Sequence, residues 1–249
     1  MAGENNPMQS SLQSRVWLCA LAAVAAGLAG AAAQTPDQFD KPAEVRTIKP
    51  MPDQDTEIRC TSFADLMIRE TQDGPESENA AIVKNPKEPC SAKAAPGEIL
   101  LDTAGMTLDG RRGGFLLFSD LDPHGATNFV IVDASNGRIV FRDAALSNPV
   151  LQSLALENGT LRLRYRRGVN APCSLMRNAK SCWAELVKDG LVPAEVTMPA
   201  ADICVESYRR DSSPLENPSI VVYVSEVTID AGGNVKVLSR GDLSCEPMP

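Results

Sequence analysis

Between Glu57 and Arg240 the chain is cut into short apolar runs, each closed by Gly, Asn, Asp or Pro. They read EIRC, DLMIRET, NAAIVK, EILLD, GFLLFS, TNFVIVD, RIVFRD, VLQSLALE, TLRLRYRR, ICVESY, SIVVYVSEVTI and NVKVLSR. Runs of this length, rich in valine, isoleucine, leucine and phenylalanine and bounded by turn formers, are strands rather than helices. The fold class that follows is all-β, with antiparallel sheets arranged as a sandwich, a barrel-like structure or part of a propeller.

The connections fix the sense of the sheets. Ser135-Asn136-Gly137, Asn158-Gly159 and the stretch DAGGN at 230–234 supply residues that tolerate positive φ, so each joins two strands as a hairpin. Hairpins make antiparallel pairs without crossover helices. The segment GFLLFSDLDPHGATNFVIVDASNGRIVF has the form of one propeller blade, but it occurs once and a propeller needs several. A single short helix is expected in SCWAELVKDG, with Ser181 as its cap, Trp183, Leu186 and Val187 on one face, and Gly190 as its stop.

VWLCALAAVAAGLAGAAAQ, residues 16–34, is the one long apolar run. With Arg15 before it and Ala31-Ala32-Ala33 at its end, it has the parts of a secretory leader, so residues 1–33 are expected to be a signal peptide cleaved after Ala33. An alanine-rich run containing Gly27 and Gly30 is a poor membrane span, which needs ~20 strongly apolar residues, so no membrane anchor is expected to remain. Cys19 is preceded by Leu18 and followed by the apolar stretch, which is the wrong order for a lipidated cysteine. The expected location is therefore periplasmic or secreted.

Removing the leader leaves Cys60, Cys90, Cys173, Cys182, Cys204 and Cys245. An even set in an exported chain is a disulfide framework, and sequence alone allows about 15 pairings. Short loops close at the lowest entropic cost, which favours Cys60 with Cys90, Cys173 with Cys182, and Cys204 with Cys245. Structural zinc would need tight ligand clusters, and the chain has no CxxC and one histidine. Residues 34–55 carry Pro36, Pro42, Pro50 and Pro52 among polar residues and read as a disordered linker. Residues 56–249 then form one β-rich domain, a size that can bury a substantial core.

Glu4 and Arg15 cancel, so loss of the leader keeps the formal charge of −8. That excess of acid argues against nucleic acid as a partner, because phosphate binding depends on Lys and Arg.

The residues IRCTSFADLMIRE, the strand-turn-strand FVIVDASNGRIVF and the Cys182-Trp183 pair resemble a group of exported bacterial proteins of uncharacterised function. The resemblance spans most of the chain from Glu57 onward. It implies export and paired cysteines, and no activity.

Three constellations bear on chemistry. In DLDPHGATN, Asp120, Asp122, His124 and Asn128 stand at the first, third, fifth and ninth places of a calcium-loop spacing, with Gly125 at the sixth. The loop is similar to the DxDxDGxxD loops of repeat-propeller proteins but departs at His124 and Asn128, and Ile131 replaces the glutamate an EF-hand has at its twelfth place. An Asp/Pro/Gly turn explains the same residues without a cation, and no cofactor other than this calcium is indicated. In LRLRYRR, Arg162, Arg164 and Arg166 share one face of a strand at ~7 Å intervals, while Leu161, Leu163 and Tyr165 share the other. Such a stripe can hold an anionic wall polymer or an acidic patch on an envelope protein, or it can be a solvated face paired with acids on the next strand. His124 alone, without a GxSxG elbow, gives no catalytic triad. The two function classes that remain are a non-catalytic binding module and a wall-glycan hydrolase using paired carboxylates such as Asp120 or Asp122.

Overall fold

The fold is that of a computed structural model, which describes residues 38–248 except 51–54, 74–75, 121–124, 147–148, 195 and 199–201, and omits the side chains of 73, 76–78 and 242. The expected leader lies outside the described residues. The described residues belong to one compact unit.

Five strands hydrogen-bond in chain order into a first sheet: β1 (Glu44–Ile48), β2 (Thr56–Ser62), β3 (Met67–Asp73), β4 (Glu76–Val83) and β5 (Ile99–Leu101). The second sheet contains β6 (Thr107–Arg112), β7 (Phe115–Ser119), β8 (Thr127–Asp133), β9 (Ile139–Ala145), β10 (Ser153–Glu157), β11 (Thr160–Asn170), β12 (Ser219–Ile229) and β13 (Val235–Pro247). Its order is β13-β12-β11-β9-β8-β7-β6, with β10 also on β11, and every pairing in both sheets is antiparallel. The second sheet is open, with β13 and β6 at its ends.

The second sheet is nearly two sheets. β9 and β11 meet in register only at Ala145 and Arg167, with Leu146 N–H donating to the Arg166 carbonyl at 2.8 Å beside that pair. At this seam β10–β13 fold over β6–β9, giving three layers with a core in each gap. Ile68, Ile82 and Leu101 of the first sheet meet Leu116, Phe118, Val130 and Val132 of β7 and β8. The opposite faces of β7 and β8, with Phe115, Leu117, Phe129 and Ile131, meet Leu161, Leu163, Tyr165 and Val227. A middle layer covered on both sides has no solvent face, and β7 accordingly reads FLLFS with all five residues buried. Phe129 stacks edge-on to Tyr165 at 5.0 Å between centroids, within the range of favourable aromatic pairs.

The hairpin turns form as read. Asn158 and Gly159 take φ of 51° and 78°, the two positive angles of a tight turn, and β10 and β11 pair across it from Glu157 and Thr160 outward. Gly137 and Gly233 also have positive φ. The three expected disulfides are present: Cys60–Cys90, Cys173–Cys182 and Cys204–Cys245.

Four local readings are corrected. First, the stretch 34–55 is not a linker between Phe39 and Ile48. Glu44–Ile48 pairs with β2, Phe39 packs against the core of the β7–β11 gap, and the Asp40 carboxylate accepts the Gly113 N–H at 2.6 Å. Pro42 and Pro50 flank this strand instead of interrupting it, and an edge strand needs hydrogen bonds on one side only. Second, ICVESY is helix α2 (Ile203–Arg210), not a strand, because its buried residues Cys204, Ser207 and Tyr208 follow helical spacing. Third, the helix expected from Ser181 is longer, α1 (Leu175–Lys188), capped by Ser174, whose hydroxyl accepts the Arg177 N–H at 3.2 Å. The backbone breaks at Asn178, and Ser181 lies just after that kink. Fourth, β6 was absent from the expected strands, since Gly110 and two arginines in TLDGRR obscure its alternation. Both helices cover the end of β11–β13 with a third core containing Trp183, Leu186, Tyr208, Val221 and Tyr223.

Candidate functional site

The arginine stripe sits on the face expected of it. Leu161, Leu163 and Tyr165 are buried while Arg162 and Arg164 are exposed and Arg166 half-buried. The neighbouring strands neutralise much of its charge. Arg162 Nε donates to Glu226 at 2.5 Å, Arg166 to Glu246 at 2.6 Å, and Arg164 stands in register opposite Glu226. The Arg162 hydrogen bond holds the Glu226 carboxyl below the usual range. Three cations therefore face two acids, and a partner would compete with Glu226 and Glu246 for them.

The structure brings Asp120 and Asn128 together, but against each other. One Asp120 oxygen accepts the Asn128 N–H at 3.0 Å and the other its side-chain amide at 2.6 Å, which clasps the β7–β8 connection. Asp122 and His124 lie outside the described residues. Among the described residues no three His, Cys, Asp or Glu side chains gather as a metal cage.

Two polar clusters at layer boundaries were not anticipated. At the seam, Asp143 of β9 accepts Arg167 Nε at 2.7 and 2.9 Å and the Tyr165 hydroxyl at 2.6 Å. Arg167 also donates to the Tyr223 hydroxyl at 2.5 Å and the Leu191 carbonyl at 3.2 Å. Burial, and then the Asp143 charge that accepts its proton, push the Tyr165 phenol upward, so this hydroxyl stays protonated and donating. At the boundary between the first sheet and β6, Glu70 accepts the Leu108 N–H at 2.8 Å, and Asp109 follows in the same strand. The seam cluster is closed, with each partner satisfied; the second is not, because Glu70 Oε2 and Asp109 Oδ2 are buried without a partner. A signal for Glu70 exists in the sequence: it shares strand parity with Ile68, on the core face. For Asp109 there is none, since a bulge between Leu108 and Gly110 sets its direction.

The open end of the second sheet has a different character. On β13, Val235, Val237 and Leu238 are 42%, 41% and 42% exposed, beside Lys236. Val237 and Val235 stand opposite the buried Val227 and Ile229, so the apolar inner face continues past the core onto an edge strand. By contrast, the packing gap among Phe39, Arg112, Phe115, Leu117 and Leu154 has no room for a water molecule and no carboxylate in its lining.

No family model, curated protein or solved structure matches this chain. The disulfides accord with an oxidising compartment outside the cytosol. No helix among the described residues is long and apolar enough to cross a membrane.

Proposed function

We propose that this chain is a periplasmic or secreted, non-catalytic binding module that takes an extended acidic segment of an envelope protein onto strand β13. The observation that carries this reading is the edge itself: three exposed aliphatic side chains beside Lys236 on a strand with no neighbour beyond it among the described residues. An added strand would gain main-chain hydrogen bonds, and its alternate side chains would cover Val235 and Val237. On the outer face two strands away, the three arginines of the stripe outnumber Glu226 and Glu246, and this small excess of positive charge favours an acidic segment.

The test is fluorescence anisotropy with a labelled peptide of alternating glutamate and valine. Binding to the wild type is expected, weakened at least about tenfold in a Lys236→Glu, Leu238→Glu double variant. Replacing Arg162, Arg164 and Arg166 with alanine is expected to reduce the salt dependence of binding more than its affinity at high salt. Equal affinity for wild type and double variant would refute the site. Turnover of wall-glycan fragments by the wild type would favour the hydrolase instead.

A further inference from the structure

We propose that the Cys60–Cys90 bridge is a reducible clasp on a lid, and that an incoming dithiol opens it and uncovers the outer face of the first sheet.

The lid is the connection from Lys84 to Glu98, which runs between β4 and β5 without helix or strand. Connections of this length without secondary structure are uncommon in a compact domain, and lids and binding loops are prominent among them. Beneath it lie Ile58 and Cys60 of β2, Met67 of β3 and Val83 of β4, none more than 2% exposed, with Cys90 and Ala95 of the lid packed onto them. Register puts this cluster on the face of the sheet opposite Ile68 and Ile82, because Cys60 pairs with Arg69 and Met67 with Val83. The face turned to the middle layer therefore keeps its own core whether the lid is shut or open.

Little else ties the lid down. Its hydrogen bonds are local: Asn85 accepts the Lys87 N–H and donates to Glu88, Ser91 accepts the Lys93 N–H, and Glu98 accepts the Ala95 N–H. Among the described residues, its only covalent or ionic links to the sheet are the Cys60–Cys90 bridge and the ion pair from Arg69 to Glu98 at 2.7 Å. The end of the lid is held by charge and its middle by sulfur. Leu100 of β5, in register with Ala81 on the same face, is 70% exposed just beyond the lid, so opening would enlarge an apolar surface that already reaches solvent.

The bridges differ in what they offer a nucleophile. Cys204 and Cys245 are 3% and 1% exposed, sealed in the core under the helices. Cys90 is half-buried on an irregular loop while Cys60 is 1% exposed, so attack falls on Cys90. Cys173 is also half-buried, but its bridge spans only the start of α1, which Trp183 and Leu186 hold in the same core, and its loss uncovers nothing. Lys84, Lys87 and Lys93 are exposed on the lid, and only Glu88 opposes them there, since Glu98 is spent on Arg69. In a chain of formal charge −8 this local positive potential favours an approaching thiolate.

The exchange balances. A thiolate of the dithiol attacks Cys90 Sγ, the S–S bond breaks, and Cys60 leaves as a thiolate that takes a proton. The second thiol of the dithiol then attacks the mixed disulfide, releasing the Cys90 thiol and leaving the reductant as its own disulfide. The clasp is independent of the β13 binding surface.

Dithiothreitol, added at rising concentration to the native protein and followed by thiol alkylation and peptide mapping, tests the order of reduction. Cys60 and Cys90 are expected to be alkylated at least about tenfold faster than Cys204 and Cys245. Once that bridge is open, trypsin should cut after Lys87 and Lys93 at least about tenfold faster than in the oxidised protein, with near-ultraviolet circular dichroism kept. The same response is expected from a Cys173→Ser, Cys182→Ser variant, which isolates it from the short bridge. Glu98→Gln, which weakens the remaining link, should speed the cut further in the reduced protein and leave the oxidised rate unchanged. Alkylation of Cys60 and Cys90 no faster than that of Cys204 and Cys245 would overturn the clasp. An unchanged trypsin rate on reduction, or loss of the near-ultraviolet signal, would overturn the lid.

Discussion

Asp143→Ala is expected to destabilise the fold by about 3 to 5 kcal/mol, a large share of what a domain this size has in hand. The carboxylate receives two contacts from Arg167 and one from the Tyr165 hydroxyl at the place where β9 and β11 hold the two halves of the second sheet together. Removing it takes the counter-charge from a half-buried guanidinium, which keeps the Tyr223 hydroxyl and the Leu191 carbonyl, and leaves the buried Tyr165 hydroxyl with Ser225 alone. Burial works against the Arg167 charge, and Asp143 and Tyr223 more than offset it, so its pKa is raised and it will not shed its proton to escape. Tyr165→Phe, which removes the hydroxyl's bonds to Asp143 and Ser225 and keeps the ring against Phe129, should cost about 1 to 2 kcal/mol. Urea unfolding at pH 7 checks both. Asp109→Asn should act in the opposite direction at that pH, because burial pushes Asp109 up to about 6 and the amide removes a charge that burial disfavours.

The second large effect concerns the link between α2 and β13. Cysteines 204 and 245 close a loop with a sequence separation of 41, against 30 for Cys60–Cys90 and 9 for Cys173–Cys182. Loop-closure entropy then ranks the bridges in that order, from about 4 kcal/mol for the longest to about 2.5 kcal/mol for the shortest. Cys204→Ser with Cys245→Ser should therefore lower the urea midpoint most, and the Cys173, Cys182 double variant least. The Ser207 hydroxyl, which donates to the Cys245 carbonyl at 2.5 Å, would be left as the polar tie between α2 and β13. It is worth about 1 kcal/mol and does not replace the bridge.

What was legible in the sequence is local. Val, Ile and Phe runs gave the strands, Asn158-Gly159 gave a turn, and three sequential cysteine pairs gave the bridges, because each depends on residues near one another in the chain. The alternation in LRLRYRR placed its arginines outside, but not Glu226 and Glu246, which arrive from β12 and β13. ICVESY reads as a strand and folds as a helix because a six-residue apolar run fits both until its buried neighbours are known. The short strand VRTI within 44–48 hid among prolines that flank it. The polar contacts at the layer boundaries were least visible, since Glu70 with the Leu108 N–H, and Asp143 with Arg167, are set by how layers stack rather than by any spacing. In both cases a charged residue on the core face of a strand was the only trace.

Each of the three sulfur bridges fixes one part of the fold, Cys60–Cys90 within the first sheet and Cys173–Cys182 and Cys204–Cys245 where the helices cover the end of β11–β13. Mass-spectrometric mapping of non-reduced peptides, from protein recovered with its thiols blocked from the producing cell, measures that directly. Peptides joined at Cys60–Cys90, Cys173–Cys182 and Cys204–Cys245, with none of the six blocked, are the expected result. Six blocked cysteines, or a different set of joined peptides, would contradict the structure at its foundation.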